Sequence, residues 1–354
     1  NSLNNLANTY YELGRSDEAL RLSEEALSIR REGYESSPER WAEGFGTSLY
    51  NVASIYDELG HSEEALPLFH ELLMVRREGY ASSPERWGKH YAASLNRLAL
   101  SYHELGQLNE SLPFFEEALA VSQEAYASSP NLLAKSHATR LSNLARTYDK
   151  LGRLKEALPF YEQALSIRRE GYASSPEDWV EDYADILNIL AGTYDDLDRL
   201  DEALSLYEES LSIRRKGYEL SPGAWAEDYA IGLCNLAHIL ERLDRPKEAL
   251  HLREKAVLIS REGFESLPEN WVEDYCTNLN ELAANYRKQS RPNDALSFHE
   301  KALSISRDRY LDEPELWAHD YANSLFNFAL TLNALDRVDE AKSLNEKAQE
   351  LQNK

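Results

Sequence analysis

Asparagine recurs at one register of this 354-residue chain: Asn5, Asn51, Asn143, Asn235 and Asn327 are separated by multiples of 46 residues. A primary amide both donates and accepts hydrogen bonds. A row of them can hold an extended backbone, or tie one structural element to the next. At the same register the other repeats carry Arg97, Ile189 and Glu281. Three residues further on the sequence varies: Asn8, Ser54, Leu100, Arg146, Gly192, His238, Ala284 and Leu330. A repeated polar column beside a variable one has the pattern of a recognition surface, and its chemistry is non-covalent.

Covalent and metal chemistry find no comparable pattern. The sequence has no Gly-x-x-x-x-Gly-Lys-Ser/Thr loop, no Gly-x-Ser-x-Gly and no His-Glu-x-x-His. The histidines are scattered; His70 and His299 share a second-helix neighbourhood but lie five repeats apart. Glu18, Glu64, Glu156, Glu202 and Glu248 recur with the repeat, as a surface column does, and do not form an acid–base pair. We therefore expect no catalytic residue, no metal and no cofactor. Cys234 and Cys276 belong to no Cys-x-x-Cys pair and read as packing residues in a reducing compartment. With no apolar run of about 18 residues, the expected location is cytoplasmic, without a membrane span. The 38 Lys and Arg against 62 Asp and Glu give a formal charge of −24. No basic stripe interrupts it, which argues against nucleic acid. The acidity keeps a long surface soluble; a sharper reading is steering of a basic partner, centred on Asp195, Asp196, Asp198 and Asp201.

The elements that position these residues are legible in the stretch from Tyr172 to Tyr183. Pro176 has counterparts at Pro38, Pro84, Pro130, Pro222, Pro268 and Pro314, each 46 residues from the next. Trp179 has counterparts at Trp41, Trp87, Trp225, Trp271 and Trp317, with Leu133 in the remaining repeat. Proline at the first position of a helix loses no hydrogen bond, and Ser175 before it is a good N-cap. Each repeat reads as two helices, for example Pro38–Leu59 and Glu63–Tyr80. Gly14-type residues in the left-handed conformation end the first helix, and Ser16 caps the next. Asp198, Asp244, Ser290 and Asp336 replace that glycine, and Asp tolerates the same conformation. Pro67, Pro113 and Pro159 fall inside second helices, where a kink is expected. The Trp column is expected to pack in the core, against the aromatic four residues on and the Tyr34-type residue. The Arg30-Arg31, Arg76-Arg77, Arg168-Arg169 and Arg214-Arg215 pairs are expected to be solvated and to offset helix dipoles.

The small residues Ala7, Ala19 and Ala26, with Ala145, Ala157 and Ala164, resemble those of the tetratricopeptide repeat family. So do the tyrosine column of Tyr10, Tyr56, Tyr102, Tyr148, Tyr194 and Tyr286 and the aromatics Phe69, Phe115, Tyr161 and Tyr207. The Leu-Asn-Asn-Leu-Ala and Glu-Ala-Leu phrases look like the kinesin-light-chain type, as also found in arrays of signalling NTPases or beside caspase-like domains. The period of 46 is 12 residues longer than the common unit of about 34. The resemblance implies an all-α, right-handed superhelical solenoid of antiparallel helix pairs. Its eight repeats start near Ser2, Ser48, Ser94, Arg140, Ile186, Gly232, Asn278 and Ser324 and form one domain over residues 1–354.

The resemblance also implies that first helices line a concave groove, where the asparagines hold a bound peptide. The expected groove residues are Asn5, Asn51, Arg97, Asn143, Asn235 and Asn327, with Arg146 and His238 on the same wall. Asp57, Asp149, Asp195 and Glu241 are expected to make the groove acidic, and Arg287 and Lys288 to reverse the sign near its end. The competing expectation is that the asparagines join adjacent repeats. The chain reads as a non-catalytic scaffold for a protein or peptide partner. The alternatives are a sensor arm of a larger signalling protein, whose upstream domain lies outside this sequence and serves as its partner, and a self-association module acting through the first repeat.

Overall fold

The computed structural model describes residues 2–352, apart from the side chains of residues 2, 4, 5 and 8. Among these residues there are sixteen α-helices and no strand. The chain divides into two compact units, Asn1–Trp179 and Val180–Lys354. The first holds α1 (Ser2–Glu12), α2 (Ser16–Ser36), α3 (Pro38–Glu58), α4 (Ser62–Ser82), α5 (Pro84–Glu104), α6 (Leu108–Ser128), α7 (Pro130–Lys150) and α8 (Leu154–Ser174). The boundary falls within α9 (Pro176–Asp196). The second unit continues with α10 (Leu200–Leu220), α11 (Pro222–Arg242), α12 (Pro246–Ser266), α13 (Pro268–Lys288), α14 (Pro292–Asp312), α15 (Pro314–Ala334) and α16 (Val338–Gln352). In each unit, consecutive helices pack as the expected repeated pairs.

Each turn between paired helices uses a positive φ. Gly14 and Gly60 have φ of 71° and 78°, and Asp198, Asp244, Ser290 and Asp336 adopt 57–59° in their place. The chain then closes on itself: the Arg15 amide donates to Tyr10 O at 2.9 Å, and the Arg245 amide to Leu240 O at 2.8 Å. These bonds satisfy carbonyls that a helix end leaves open. The substitution of glycine by Asp or Ser therefore keeps the turn. Pro67, Pro113 and Pro159 lie inside α4, α6 and α8, which run through them unbroken.

Capping differs from the sequence expectation. Ser37, Ser83 and Ser221 precede their prolines but make no side-chain cap bond. The serines before Ser37 and Ser83 turn backwards: Ser36 Oγ donates to Gly33 O and Ser82 Oγ to Gly79 O, both at 2.8 Å. Ser16 lies inside α2, and Arg15 takes the cap position without capping through its side chain. Its guanidinium instead lies 4.4 Å from the Tyr10 ring centre, and its Nε donates to Glu18 Oε1 at 2.9 Å. Arg153, Tyr148 and Glu156 repeat the arrangement, as do Arg291, Tyr286 and Asp294. Glu18, Glu156, Glu202 and Glu248 of the glutamate column are thus partners of a turn arginine, and Glu64 lies beside His61.

Small residues let the paired helices approach. Ala19, Ala65, Ala157, Ala203, Ala249, Ala295 and Ala341, with Ser111 in the third repeat, are all fully buried. Trp87, Trp179 and Trp317 are buried, while Trp41, Trp225 and Trp271 are half-buried. Trp317 shares an apolar cluster with Tyr310, but among the described residues no tryptophan stacks on the Tyr34-type residue. That residue stacks on the aromatic four positions after the tryptophan: Tyr34 on Phe45 with ring centres 4.8 Å apart, and Tyr80 on Tyr91 at 5.0 Å. Five of the six indoles lie against a glycine of the preceding helix. A Cβ at Gly33, Gly79, Gly171, Gly217 or Gly263 would sit 2.3–2.5 Å from its ring. In the third repeat Leu133 replaces the tryptophan and Ala125 the glycine, and before Trp317 the same register holds Arg309.

Candidate functional site

The asparagine column lies on the first helix of each pair. In the first unit Asn143, on α7, is buried, and its Nδ2 donates to Asn96 Oδ1 of α5 at 3.0 Å. In the second unit Asn235, on α11, is half-buried and donates to Asn188 Oδ1 of α9 at 2.9 Å. These two asparagines join adjacent repeats, which is the competing arrangement stated above. Asn51 and Asn327 are half-buried. Arg146 and His238 are exposed. The side chain of Asn5 lies outside the described residues. The column of Asn96 and Asn188, one residue before the predicted column, carries the other half of the ladder. Its signal in the sequence is Asn4, Asn96, Asn188 and Asn280, in alternate repeats.

The acidic column is not a free negative wall. Asp57 is buried, accepting from Ser101 Oγ at 2.9 Å and pairing with Arg97 Nη2 at 3.0 Å. Asp195 pairs with His238 Nε2 at 3.3 Å and with Arg242. Glu241 accepts from Arg253 Nε at 2.7 Å, Asn285 Nδ2 at 2.9 Å and Lys288 Nζ at 2.6 Å. Arg253 also pairs with Glu281. Each acid thus receives donors from the next repeat, and the charge read as available to a partner is largely spent inside the array. Lys288 serves Glu241 and does not form a separate basic end.

The first arginines of the pairs depart from the solvated reading, while Arg77, Arg169 and Arg215 are exposed as expected. Arg214 is buried; its Nη1 donates to Asp228 O at 2.9 Å and its Nη2 to Asp185 Oδ1 at 2.9 Å. Arg30 Nη1 donates to Gly44 O at 2.6 Å, and Arg76 Nη1 to His90 O at 3.0 Å and Ser94 Oγ at 2.7 Å. Arg30, Arg76 and Arg214, each the first of its pair, thus cross to the following first helix. Arg31 and Arg77 reach the following second helix, at Glu71 (2.6 Å) and Glu117 (3.3 Å), whereas Arg215 pairs with Glu219 of its own helix at 2.8 Å.

Two hollows open on first helices. One, in the first unit, has a volume of about 550 Å³ between α3, α5 and α7; Tyr50, Arg76, His90, Asn96, Arg97 and Arg140 are among its lining residues. The other, in the second unit, has about 290 Å³ between α13 and α15, with Glu273, Asn280, Glu281, Asp320, Asn323 and Asn327 in its wall. The first is cationic and the second acidic, the reverse of the order read from the sequence. Both cysteines are poor nucleophiles, since burial pushes the Cys234 and Cys276 thiols up to about 12. Among the described residues no group of three His, Cys, Asp or Glu side chains is arranged to hold a metal ion. Nor is any helix among them long and apolar enough to cross a membrane.

Two family models, each described as tetratricopeptide repeat, match residues 90–170, and residues 1–39, 184–219 and 279–310. The chain belongs to the tetratricopeptide repeat family. A model described as anaphase-promoting complex subunit 5 matches residues 34–84. No curated protein matches the sequence. Solved structures show the same tetratricopeptide fold. BtubC (BKLC) from P. vanneervenii is 21% identical with a TM-score of 0.55, over 69% of this chain and 91% of that one. A signal-transduction ATPase with numerous domains from Pyrococcus horikoshii, with a tetratricopeptide repeat sensor, is 14% identical with a TM-score of 0.64. The match covers 96% of this chain and 48% of that one. The quorum sensor NprR from B. thuringiensis is 14% identical with a TM-score of 0.57, over 97% of this chain and 87% of that one.

Proposed function

We propose that this tetratricopeptide array is a non-catalytic scaffold that binds a peptide or protein segment along the wall of its first helices. The observation that carries this reading is the polar, variable lining of the two first-helix hollows. Arg76, His90 and Arg97 line one, and Asn323, Asn327 and Asp320 the other. Helix-pair packing requires apolar or small residues at its buried columns, and these positions lie outside them. Arg146 and Asn327 belong to this wall in the two units. Changing both to Ala lowers capture of native partners while the melting temperature hardly moves. Unchanged capture by the folded variant overturns the reading.

A second reading, that the array is the sensor arm of a larger signalling protein, is favoured by the P. horikoshii neighbour, of whose length this chain matches about half. The sequence of the full-length gene tests it. A phosphate-binding Gly-x-x-x-x-Gly-Lys-Ser/Thr loop upstream supports it, and its absence removes the motive for it.

A further inference from the structure

Arg140 occupies a column where packing asks for no cation. The equivalent residues are Ser2, Ser48, Ser94, Ile186, Gly232, Asn278 and Ser324. Arg97 likewise stands in the asparagine column. Both departures line the hollow of the first unit, together with Arg76 and His90. Arg140 is 8% exposed, its Nη1 donates to Ser136 O at 2.9 Å, and its Nε is buried without a partner among the described residues. Arg97 Nε is in the same state, and the Arg97 guanidinium lies 5.6 Å from the Phe69 ring centre. Among the described residues Arg76 bonds only neutral oxygens.

Among the described residues no carboxylate lines this hollow. The acids nearest it are engaged or set apart. Asp57 holds Arg97 at 3.0 Å, and Glu43 pairs with Arg86 at 3.0 Å. Glu104 lies near Arg97 and Asp57, and burial pushes its carboxyl up. Burial also pulls the Arg76 and Arg140 guanidiniums below their ordinary value. A buried cation without a counterion is costly unless something supplies one.

We infer that the hollow bounded by Arg76, Arg97 and Arg140 is an anion subsite that takes a side-chain carboxylate of an acidic peptide segment. This rests on the scaffold reading and gives the partner a chemistry opposite to the one that the net charge suggests. Guanidiniums suit the task because their planar donors match a carboxylate, and a charge-assisted bond in a partly dry site is strong. Asn96 and Tyr50, which share the lining, present neutral polar groups beside it.

The test uses this chain and a fluorescein-labelled hexaglutamate peptide, read by fluorescence anisotropy at low salt, with a hexaserine peptide as control. Hexaglutamate is expected to bind and hexaserine not to bind. Arg140→Ser and Arg76→Ser each restore a residue that other repeats carry at the same register. Each is expected to weaken binding about tenfold or more, with melting temperature preserved. Two substitutions are used so that a folding defect in one leaves the other decisive. Failure of hexaglutamate to bind at millimolar concentration, or equal binding by either folded variant, overturns the subsite. If the subsite fails while Arg146→Ala with Asn327→Ala still reduces capture of native partners, the scaffold reading stands without it.

Discussion

The indole of Trp87 lies flat against the backbone of Gly79, so close that a Cβ on Gly79 would be 2.5 Å from the ring. The pair joins the end of α4 to the start of α5, at the turn where one repeat passes to the next. Glycine is required for the approach of the ring, with an ordinary helical backbone. Trp87→Ala should destabilise the fold by about 3–5 kcal/mol, the range for a large buried aromatic. Gly79→Ala should cost about 1–3 kcal/mol through overpacking. The third repeat has Ala125 with Leu133 in these places. The double variant Gly79→Ala with Trp87→Leu should therefore be more stable than the sum of its single changes predicts. Denaturant titration of the four proteins of this cycle measures the coupling; strict additivity would contradict a direct contact.

The Asn143–Asn96 bond should carry stability. Asn143→Ala leaves Asn96 Oδ1 without its donor in a partly buried site. The expected loss is about 1–3 kcal/mol. The Asn143→Ala and Asn96→Ala double variant should lose less than the two single changes added together. A melting temperature unmoved by Asn143→Ala would return this residue to the partner-binding role alone.

His299 should make the second unit acid-sensitive. It is buried, with Nδ1 3.1 Å from Asn280 Oδ1, and stands at the register of Phe69, Phe115, Tyr161 and Tyr207. Burial, with Arg287 adding to it, lowers its pKa from 6.5 to about 4. The unfolded chain therefore takes up a proton before the folded one does. Stability is full above pH 6.5 and falls as pH drops from there to about 4. His299→Phe should flatten this part of the stability profile, as followed by thermal melts between pH 7 and pH 4.5. Parallel profiles for the two proteins would exclude His299 as the source.

Arg253 replaces an aromatic of the same column and serves Glu241 and Glu281 instead. Arg253→Ala should cost about 3–5 kcal/mol, because it strands the mostly buried Glu241 carboxylate. Glu281→Gln should cost far less, since Glu281 is 44% exposed. Burial pushes the Glu241 carboxyl up, but Lys288, Arg253 and Asn285 outweigh it and hold the carboxyl below its ordinary 4.5. The stability from this network is present above pH 4.5 and lost as pH falls through the lower folded value. Acid titration of wild type and Arg253→Ala separates this loss, below pH 4.5, from the one due to His299 above it.

The repeat, the helix pairs and the left-handed turns were legible in the sequence because they depend on local chemistry repeated at a fixed interval. Proline at a helix start, glycine or aspartate at a positive φ and apolar residues on one face act within a few residues of themselves. The family resemblance rests on the same columns. The roles of charged and amide side chains were not legible, because they depend on which repeat stands beside them. Asp57 and Glu241 read as free acids until Arg97 and Arg253 are seen against them. Asn143 reads as a hand held out to a partner until Asn96 is found 3.0 Å away. A glycine precedes five of the six tryptophans at a fixed spacing in the sequence, but only packing shows that the ring needs its missing Cβ. Arg140 was an irregularity in a column of small residues; the tertiary structure placed it with Arg76 and Arg97 around one hollow. Local rules set where each helix begins and ends, whereas the partner of a long polar side chain is decided by geometry tens of residues away along the chain.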